Sequence, residues 1–415
     1  MVEITFLGGT REVGRMGILL ETSGKRILWE YGVNVQTMDV PKKAELPLDA
    51  VFVTHAHLDH SGYLPALYKE GYEGSVCATS VTFDLMSLLL RDALKVQSKR
   101  GLKLLFMPHD IEKMERLKRI IRFGEEIEID DALITVHNAG HIPGAVSFVL
   151  EAEGKRILYT GDIKFLDTRL VSGAELHFKD IDIVITECTY SYKNHPDREK
   201  LIDRIREIAQ ETVYNNGILL LPCFAVGRTQ ELLINLYDLG LPIYLDGMGI
   251  DATEIILNHP EYIKNPSELR KAFSKARKVV RPKDRNEAVR NACIIITTAG
   301  MMNGGPISFY MKKLHNKENC SLVTTGYMVE GTVGRTLMDT GRYIADGLDV
   351  RPKMHMEFLD LSAHTDHDHI VRFLEKLSPE KIFLVHGEYN PEFEKELKSM
   401  GFDAYSPEMG EKVRV

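Results

Sequence analysis

The chain has few cysteines, no long apolar run and no excess of positive charge. Five cysteines are scattered through 415 residues, at Cys77, Cys188, Cys223, Cys293 and Cys320, and none stands in a C-x-x-C pair. An odd number of thiols placed mostly in apolar runs argues against a disulfide framework and for a reducing compartment, the cytoplasm. No apolar run approaches the roughly 20 residues that a membrane helix needs, so no membrane partner is expected. The N-terminus, Met1-Val2-Glu3-Ile4-Thr5-Phe6, enters a strand pattern directly and lacks the basic and apolar regions of a signal peptide. A formal net charge of −8 excludes a general basic coat for nucleic acid. It leaves room for a local basic groove, because phosphate steering depends on where charge sits. Repeats, low-complexity tracts and long linkers are also missing. What remains is an ordinary globular composition, long enough for two or three domains.

One stretch stands out against this background. Thr54-His55-Ala56-His57-Leu58-Asp59-His60 places four potential metal ligands within six residues, directly after the apolar run Asp49-Ala50-Val51-Phe52-Val53. Such a run reads as a buried strand, and α/β folds carry their chemistry at the C-terminal edges of strands. His55 and His57 can face one metal, while Asp59 and His60 can reach a second about 3.5–4 Å away. Packing that many polar groups together without a cation would cost much desolvation energy.

The rhythm of the rest suggests how such a site is framed. From Ile4 to about Tyr190 the pattern is strand-rich, with hairpin turns at Glu21-Thr22-Ser23-Gly24-Lys25 and Glu151-Ala152-Glu153-Gly154-Lys155. Helical patterns intervene at about 81–100 and 110–122. From about Pro196 to Leu348 helices and strands alternate: a helix near 197–215, then strand-like runs at 217–222, 244–246, 293–297 and 321–325. That alternation implies a mostly parallel sheet covered on both faces. Residues 353–415 return to strands ending in histidine motifs. The expected organisation is therefore residues 1–190, an inserted domain over 191–350, and a return to the first domain over 351–415.

Two further segments add ligands. Asn138-Ala139-Gly140-His141-Ile142-Pro143-Gly144-Ala145 is a rigid turn that can aim His141 at a fixed point. Ile157-Leu158-Tyr159-Thr160-Gly161-Asp162 is an apolar strand ending in a carboxylate, which can bridge two cations. Imidazole with carboxylate suits zinc.

In this order, His55-x-His57-x-Asp59-His60, His141 and Asp162 resemble the binuclear metallo-β-lactamase fold, an αββα sandwich. The later segments resemble the β-CASP nucleases of that superfamily. Ile185-Thr186-Glu187-Cys188-Thr189-Tyr190 is similar to their motif A, Leu361-Ser362-Ala363-His364-Thr365-Asp366 to motif B, and Leu384-Val385-His386-Gly387-Glu388 to motif C. Ala225-Val226-Gly227-Arg228-Thr229-Gln230-Glu231 and Gly331-Thr332-Val333-Gly334-Arg335 resemble signatures of the β-CASP insert. The resemblance covers essentially the whole chain and extends to the endonuclease subunit of the cleavage and polyadenylation specificity factor, in its short archaeal form without KH domains. One position departs from the pattern: Glu30, in Leu28-Trp29-Glu30-Tyr31-Gly32, stands where the family usually has Asp. That position supports the ligands from behind, so the longer side chain bears on how they are aimed.

The resemblance implies two zinc ions, one held by His55, His57 and His141 and the other by Asp59, His60 and His386, with Asp162 bridging. It implies a zinc-dependent ribonuclease that hydrolyses single-stranded RNA in mRNA 3′-end processing or decay through a bridging hydroxide, as endonuclease or 5′-exonuclease. The products would carry 5′-phosphate and 3′-hydroxyl ends. Asp59, His364 and Glu187 are the catalytic residues so implied, His364 as general acid and Glu187 as the group that orients it. Arg228 and Thr229, at a helix start able to bind phosphate, and Arg335 are candidates for substrate contact. A basic stretch from Lys264 to Arg290 is a candidate backbone-tracking rim. His367 and His369, near motif B, read as solvated helix positions. The expected partners are single-stranded RNA and either a second copy of the chain or an RNA-processing complex. The rival readings are a small-molecule hydrolase of the same superfamily, a DNA-acting β-CASP nuclease, and a catalytically silent RNA-binding scaffold.

Overall fold

The computed structural model describes all 415 residues, which form two compact units. Met1–Asp167, Gly173–Asn194 and His364–Val415 make the first; Thr168–Ser172 and His195–Ala363 make the second.

The first unit is an αββα sandwich built on two seven-stranded sheets. One runs in the order Lys412–Arg414, Glu3–Gly8, Gly17–Thr22, Lys25–Trp29, Ala50–Phe52, Val76–Ala78, Arg119–Ile120. The other runs Ala404–Tyr405, Lys381–Val385, Ile183–Glu187, Lys155–Tyr159, Val146–Ala152, Ala132–Asn138, Glu126–Ile129. Each sheet is antiparallel at one end and parallel at the other. The antiparallel parts are closed by the two expected hairpins. Thr22 pairs with Lys25 and Ala152 with Lys155. Both turn pairs, Ser23-Gly24 and Glu153-Gly154, have positive φ at both residues, the turn that matches strand twist.

Aromatic side chains join the sheets face to face. Trp29 stacks on Tyr159 at 5.2 Å and 9°, Phe52 meets Phe148 edge-on at 5.4 Å, and Phe6 meets Phe383 at 5.1 Å. Each pair takes one ring from either sheet and contributes about 0.5–1.5 kcal/mol beyond the area it buries. Alternate residues of the second sheet, Val149, Leu158, Val184 and Leu384, face outward onto Ile370, Phe373 and Leu374 of helix His367–Leu377 and Phe393 and Leu397 of helix Asn390–Ser399. The C-terminal section is thus more helical than stranded.

Helix Ser80–Lys99 starts where expected, its Thr79 hydroxyl accepting from the Thr82 N–H. The helix expected over 110–122 runs instead over Pro108–Arg116. Arg119 and Ile120 pair with Cys77 and Ala78 as an edge strand, and this sheet pairing overrides the local helical pattern.

The second unit holds a wholly parallel six-stranded sheet in the order Arg277–Val279, Ile243–Asp246, Cys293–Thr297, Ile218–Pro222, Ser321–Thr324, His355–Phe358. Both faces are buried: Leu219, Leu221, Ile294 and Ile296 in one core, Ile218, Leu220, Cys293 and Ile295 in the other. Its last strand, His355–Phe358, pairs with Ser321–Thr324. The chain therefore re-enters the first unit at His364 and not at the expected 351.

Candidate metal centre

The histidine-rich stretch is held by its backbone. Strand Ala50–Phe52 ends, and helix Leu58–Ser61 begins within the same turn. The carbonyls of Leu58, Asp59 and His60 accept from the N–H groups of Val33, Met16 and Tyr31 at 2.9, 2.8 and 2.8 Å. This packing needs Gly32, where an added Cβ would lie 1.7 Å from the Asp59 carbonyl oxygen. The Ser61 hydroxyl donates to the Ala56 and His57 carbonyls at 2.9 and 3.0 Å. Glu30, fully buried, accepts from the Thr54 N–H at 2.9 Å through Oε1, and its Oε2 lies 3.6 Å from His60 Nδ1.

The remaining ligands arrive from the second sheet. Strands Lys155–Tyr159, Ile183–Glu187 and Lys381–Val385 are parallel neighbours. Their C-terminal ends share one edge, which carries Asp162, Glu187 and His386. His141 comes from the turn after Ala132–Asn138, where the Ala139 N–H donates to Ala145 and Thr79 Oγ1 donates to the Gly144 carbonyl at 2.9 Å.

Two ligand groups result. His55, His57, His141 and Asp162 form one, and Asp59, His60 and His386 the other, each with donor atoms within 4.8 Å of one another. Asp162 faces both. Its Oδ2 lies 3.5 Å from His55 Nε2 and 3.6 Å from His141 Nε2; its Oδ1 lies 3.2 Å from His60 Nε2 and 3.5 Å from His386 Nδ1. His386 Nε2 is 3.3 Å from Asp59 Oδ2, and Thr189 Oγ1 is 3.1 Å from His386 Nδ1. The structure thus gathers all seven expected ligands into one cluster.

The donor set fits a cation. Both ring nitrogens of His60 and Oδ1 of Asp162 are buried without an aligned hydrogen bond, a defect worth about 1–3 kcal/mol each. Burial pushes His55 well below the usual imidazole range and also lowers His57, favouring the neutral form that ligates. Burial opposes charge on His60, but the Asp162 and Glu30 carboxylates outweigh it and raise it well above that range. Asp162 is driven well below the carboxylate range: burial opposes this, and the His386, His60 and His364 rings prevail.

Beside the cluster sits a carboxylate–imidazole pair. Glu187, buried, accepts from the Ile163 N–H at 2.9 Å and the Thr189 N–H at 3.3 Å. His364 Nδ1 lies 2.9 and 3.0 Å from its two oxygens. Burial works against charge on His364, yet the Glu187 and Asp162 carboxylates raise it to about 9. Lys164 Nζ donates to the His364 carbonyl at 2.9 Å.

Thr54, whose Oγ1 is 3.0 Å from His55 Nδ1, Thr189 and Lys164 were not among the expected residues. Their signal was adjacency: Thr54 precedes a ligand, and Thr189 and Lys164 each lie two residues past a carboxylate of the site.

The candidate substrate contacts belong to the second unit and are engaged within it. Arg228 is buried and pairs with Glu231 at 2.5 Å, while the Thr229 hydroxyl donates to the Phe224 carbonyl at 2.7 Å. Arg335 pairs with Asp339 at 2.8 Å on a half-exposed helix face. In the basic stretch, Arg270, Lys271, Lys275, Lys283 and Arg290 are exposed, whereas Arg285 is tied to Asp246 at 2.7 Å. His367 and His369, expected to be solvated, are half-buried and ion-paired, His367 to Asp368 and Glu396 at 2.8 Å each and His369 to Asp366 at 2.5 Å.

Comparison with known proteins bears on this geometry. Residues 13–187 match the family model of the metallo-β-lactamase superfamily, 229–337 the β-CASP domain, and 349–407 the Zn-dependent metallo-hydrolase RNA specificity domain. The chain is 36% identical to "Probable RNase MJ4" of Methanocaldococcus jannaschii, covering all of both chains. It is 32% identical to "RNase aCSPSF2" of Saccharolobus solfataricus, over 99% of this chain and 85% of that one. It is 37% identical to "Transcription termination factor FttA" of Methanosarcina mazei, over 93% of this chain and 67% of that one. A crystal structure of a protein of unknown function from Enterococcus faecalis shares the fold, with a TM-score of 0.62 over 99% of both chains at 13% identity. By sequence, fold and donor set alike, the chain belongs to the metallo-β-lactamase superfamily of metal-dependent hydrolases, in the branch that carries a β-CASP domain.

Proposed function

We propose that the chain is a zinc-dependent ribonuclease that hydrolyses phosphodiester bonds of single-stranded RNA in mRNA 3′-end processing or RNA decay. One observation carries this reading: Asp162 turns its two oxygens to two separate ligand groups beside the buried Glu187–His364 pair. The names of the relatives, two of them ribonucleases, support RNA as the substrate.

His55, His57 and His141 would hold one zinc, Asp59, His60 and His386 the other, and Asp162 both, a donor mix of imidazole and carboxylate that suits this metal. When bound, the pair supplies a water acidified towards neutral pH and positive charge facing the phosphoryl oxygens. The protein's own groups do the rest. Glu187 fixes the His364 ring through Nδ1 and keeps it protonated at neutral pH. His364 gives a proton from Nε2 to the ribose 3′-oxygen as the P–O bond breaks. Asp59 would stand beside His386 in that donor set, its Oδ2 3.3 Å from His386 Nε2, while Thr189 Oγ1 faces the other ring nitrogen at 3.1 Å. Because water and not the ribose 2′-hydroxyl attacks, the products carry 5′-phosphate and 3′-hydroxyl ends. The activity belongs in the cytoplasm, where five free, buried thiols stay reduced. Self-association as a homodimer, or a seat in an RNA-processing complex, is part of the proposal and is read by light scattering with and without RNA.

The test is cleavage of end-labelled single-stranded RNA by the zinc-loaded protein, beside His364→Ala and a chelator-treated sample. Cleavage lost in both controls is the expected result. Internal products from either label mark an endonuclease, and mononucleotides released from the 5′ end mark an exonuclease. RNA left intact by the loaded wild type would overturn the reading in favour of a binding scaffold or a small-molecule hydrolase.

A further inference from the structure

Next to His364 the first unit carries a run of aromatic rings that the hydrolysis itself does not use. Tyr190 lies 6.3 Å from the His364 ring, Tyr192 lies 6.1 Å from Tyr190 at an interplanar angle of 11°, and Tyr389 lies 4.5 Å from Tyr192. Tyr190 is buried, but Tyr192 and Tyr389 are 43% and 42% exposed. The ammonium of Lys193 sits over both Tyr190 and Tyr192, at 5.0 and 5.6 Å from the ring centres. Two exposed rings in contact, with a lysine beside them, put a π-face and a cation side by side.

The backbone beneath them is fixed. The Ser191 N–H donates to the Cys188 carbonyl and the Lys193 N–H to the Tyr190 carbonyl, at 3.2 and 3.3 Å, while the Lys193 carbonyl accepts from the His367 N–H at 3.2 Å. Tyr389 immediately precedes helix Asn390–Ser399, whose Asn390 side chain is buried and donates to the Leu384 carbonyl at 3.1 Å. A platform held this way loses little freedom when a flat ligand settles on it.

We propose that Tyr192 and Tyr389 form a stacking shelf for one nucleobase of the single strand, with Lys193 facing that nucleotide's phosphate. The inference rests on the ribonuclease reading and deepens it. One buried ring, Tyr190, separates the shelf from His364, the proton donor to the departing oxygen, and the inference places the stacked base on the nucleotide whose 3′-oxygen leaves. Stacking is indifferent to base identity, because every base has a π-face. The shelf therefore selects for unpaired strands and not for a sequence.

The test uses Tyr192→Ala, Tyr389→Ala, the double variant and Tyr192→Phe, with Tyr214→Ala, an exposed tyrosine of the other unit, as control. Dissociation constants are measured for oligouridylate and for an abasic ribose-phosphate oligomer of equal length. The double variant is expected to bind oligouridylate about 5- to 150-fold more weakly. It should bind the abasic oligomer as wild type does, and Tyr192→Phe and the control should match wild type on both. In cleavage, KM rises with kcat held. A single abasic residue immediately 5′ of the mapped cleavage bond reproduces the loss, and the same lesion 3′ of it does not. Equal weakening on the abasic oligomer would show that the rings only brace the fold and would overturn the inference, as would unchanged binding or an effect confined to the 3′ lesion. If the shelf binds oligouridylate as described while RNA is not cleaved, the shelf stands and the nuclease reading falls.

Discussion

Replacing Glu187 by Gln keeps the shape of the side chain and removes the charge that holds a proton on His364, at the cost of one acceptor for the Ile163 and Thr189 N–H groups. The carboxylate accepts two backbone N–H groups and faces His364 Nδ1 from both oxygens. Against burial, Glu187 and Asp162 raise His364 from 6.5 to about 9, worth about 3 kcal/mol in favour of the charged ring. Two bound cations would neutralise much of Asp162's share, leaving Glu187 as the group that holds the proton. Without it, burial acts against less opposition and the pKa falls. With His364 as the proposed acid, activity should disappear as pH rises through its pKa, and lowering that pKa should move the alkaline limb of the rate profile to lower pH. At neutral pH kcat should drop by about 10²–10⁴-fold, the usual worth of a general acid. Single-turnover cleavage across the neutral and alkaline range reads both effects. A substrate whose bridging 3′-oxygen is replaced by sulfur needs no proton on departure, and it should shrink the defects of Glu187→Gln and His364→Ala alike. The double variant should be no slower than His364→Ala alone, because both remove one function. A Glu187→Gln enzyme with an unmoved alkaline limb, or a defect equally large on the thio substrate, would refute the acid role.

Glu30→Gln leaves the Thr54 N–H an acceptor but removes the charge behind His60; metal affinity should fall about 10–100-fold in a competition titration with a chromophoric chelator. Gly32→Ala forces a methyl against the Asp59 carbonyl and should cost about 1–3 kcal/mol, seen as an earlier melting transition and as metal loss on dialysis. Replacing Lys271 and Lys275, which lie over the Tyr237 ring at 5.8 and 5.3 Å, should flatten the salt dependence of RNA binding. If both touch phosphate, the slope changes by about 0.7 per lost contact, and an unchanged slope removes this stretch from the RNA path.

The parts of the centre differ in how far a sequence can reveal them, and the difference is physical. His55, His57, Asp59 and His60 are legible because one strand end and one short helix hold them all, so spacing translates into geometry without knowledge of the fold. Asp162, Glu187 and His386 are separated by up to 224 residues. They meet because three parallel strands end on one edge, and residues alone gave only "a carboxylate or imidazole at a strand end"; the family resemblance supplied the rest. The site's inner supports were less legible still. Gly32 matters only because the Asp59 carbonyl passes against it, and the division of Asp162 into one oxygen for each ligand group follows from how the sheets meet. Failures came where tertiary pairing overrode local pattern. Arg119-Ile120 joined a sheet edge although their surroundings read as helix, and His355–Phe358 extended the parallel sheet although a return to the first domain was expected before it. Arg228 is a different case. Its place at a glycine-led helix start suggested a phosphate contact, but Glu231 lies one turn on and faces it from the same helix. A buried arginine beside a carboxylate three residues away is, on desolvation grounds, an ion pair before it is a ligand-binding group.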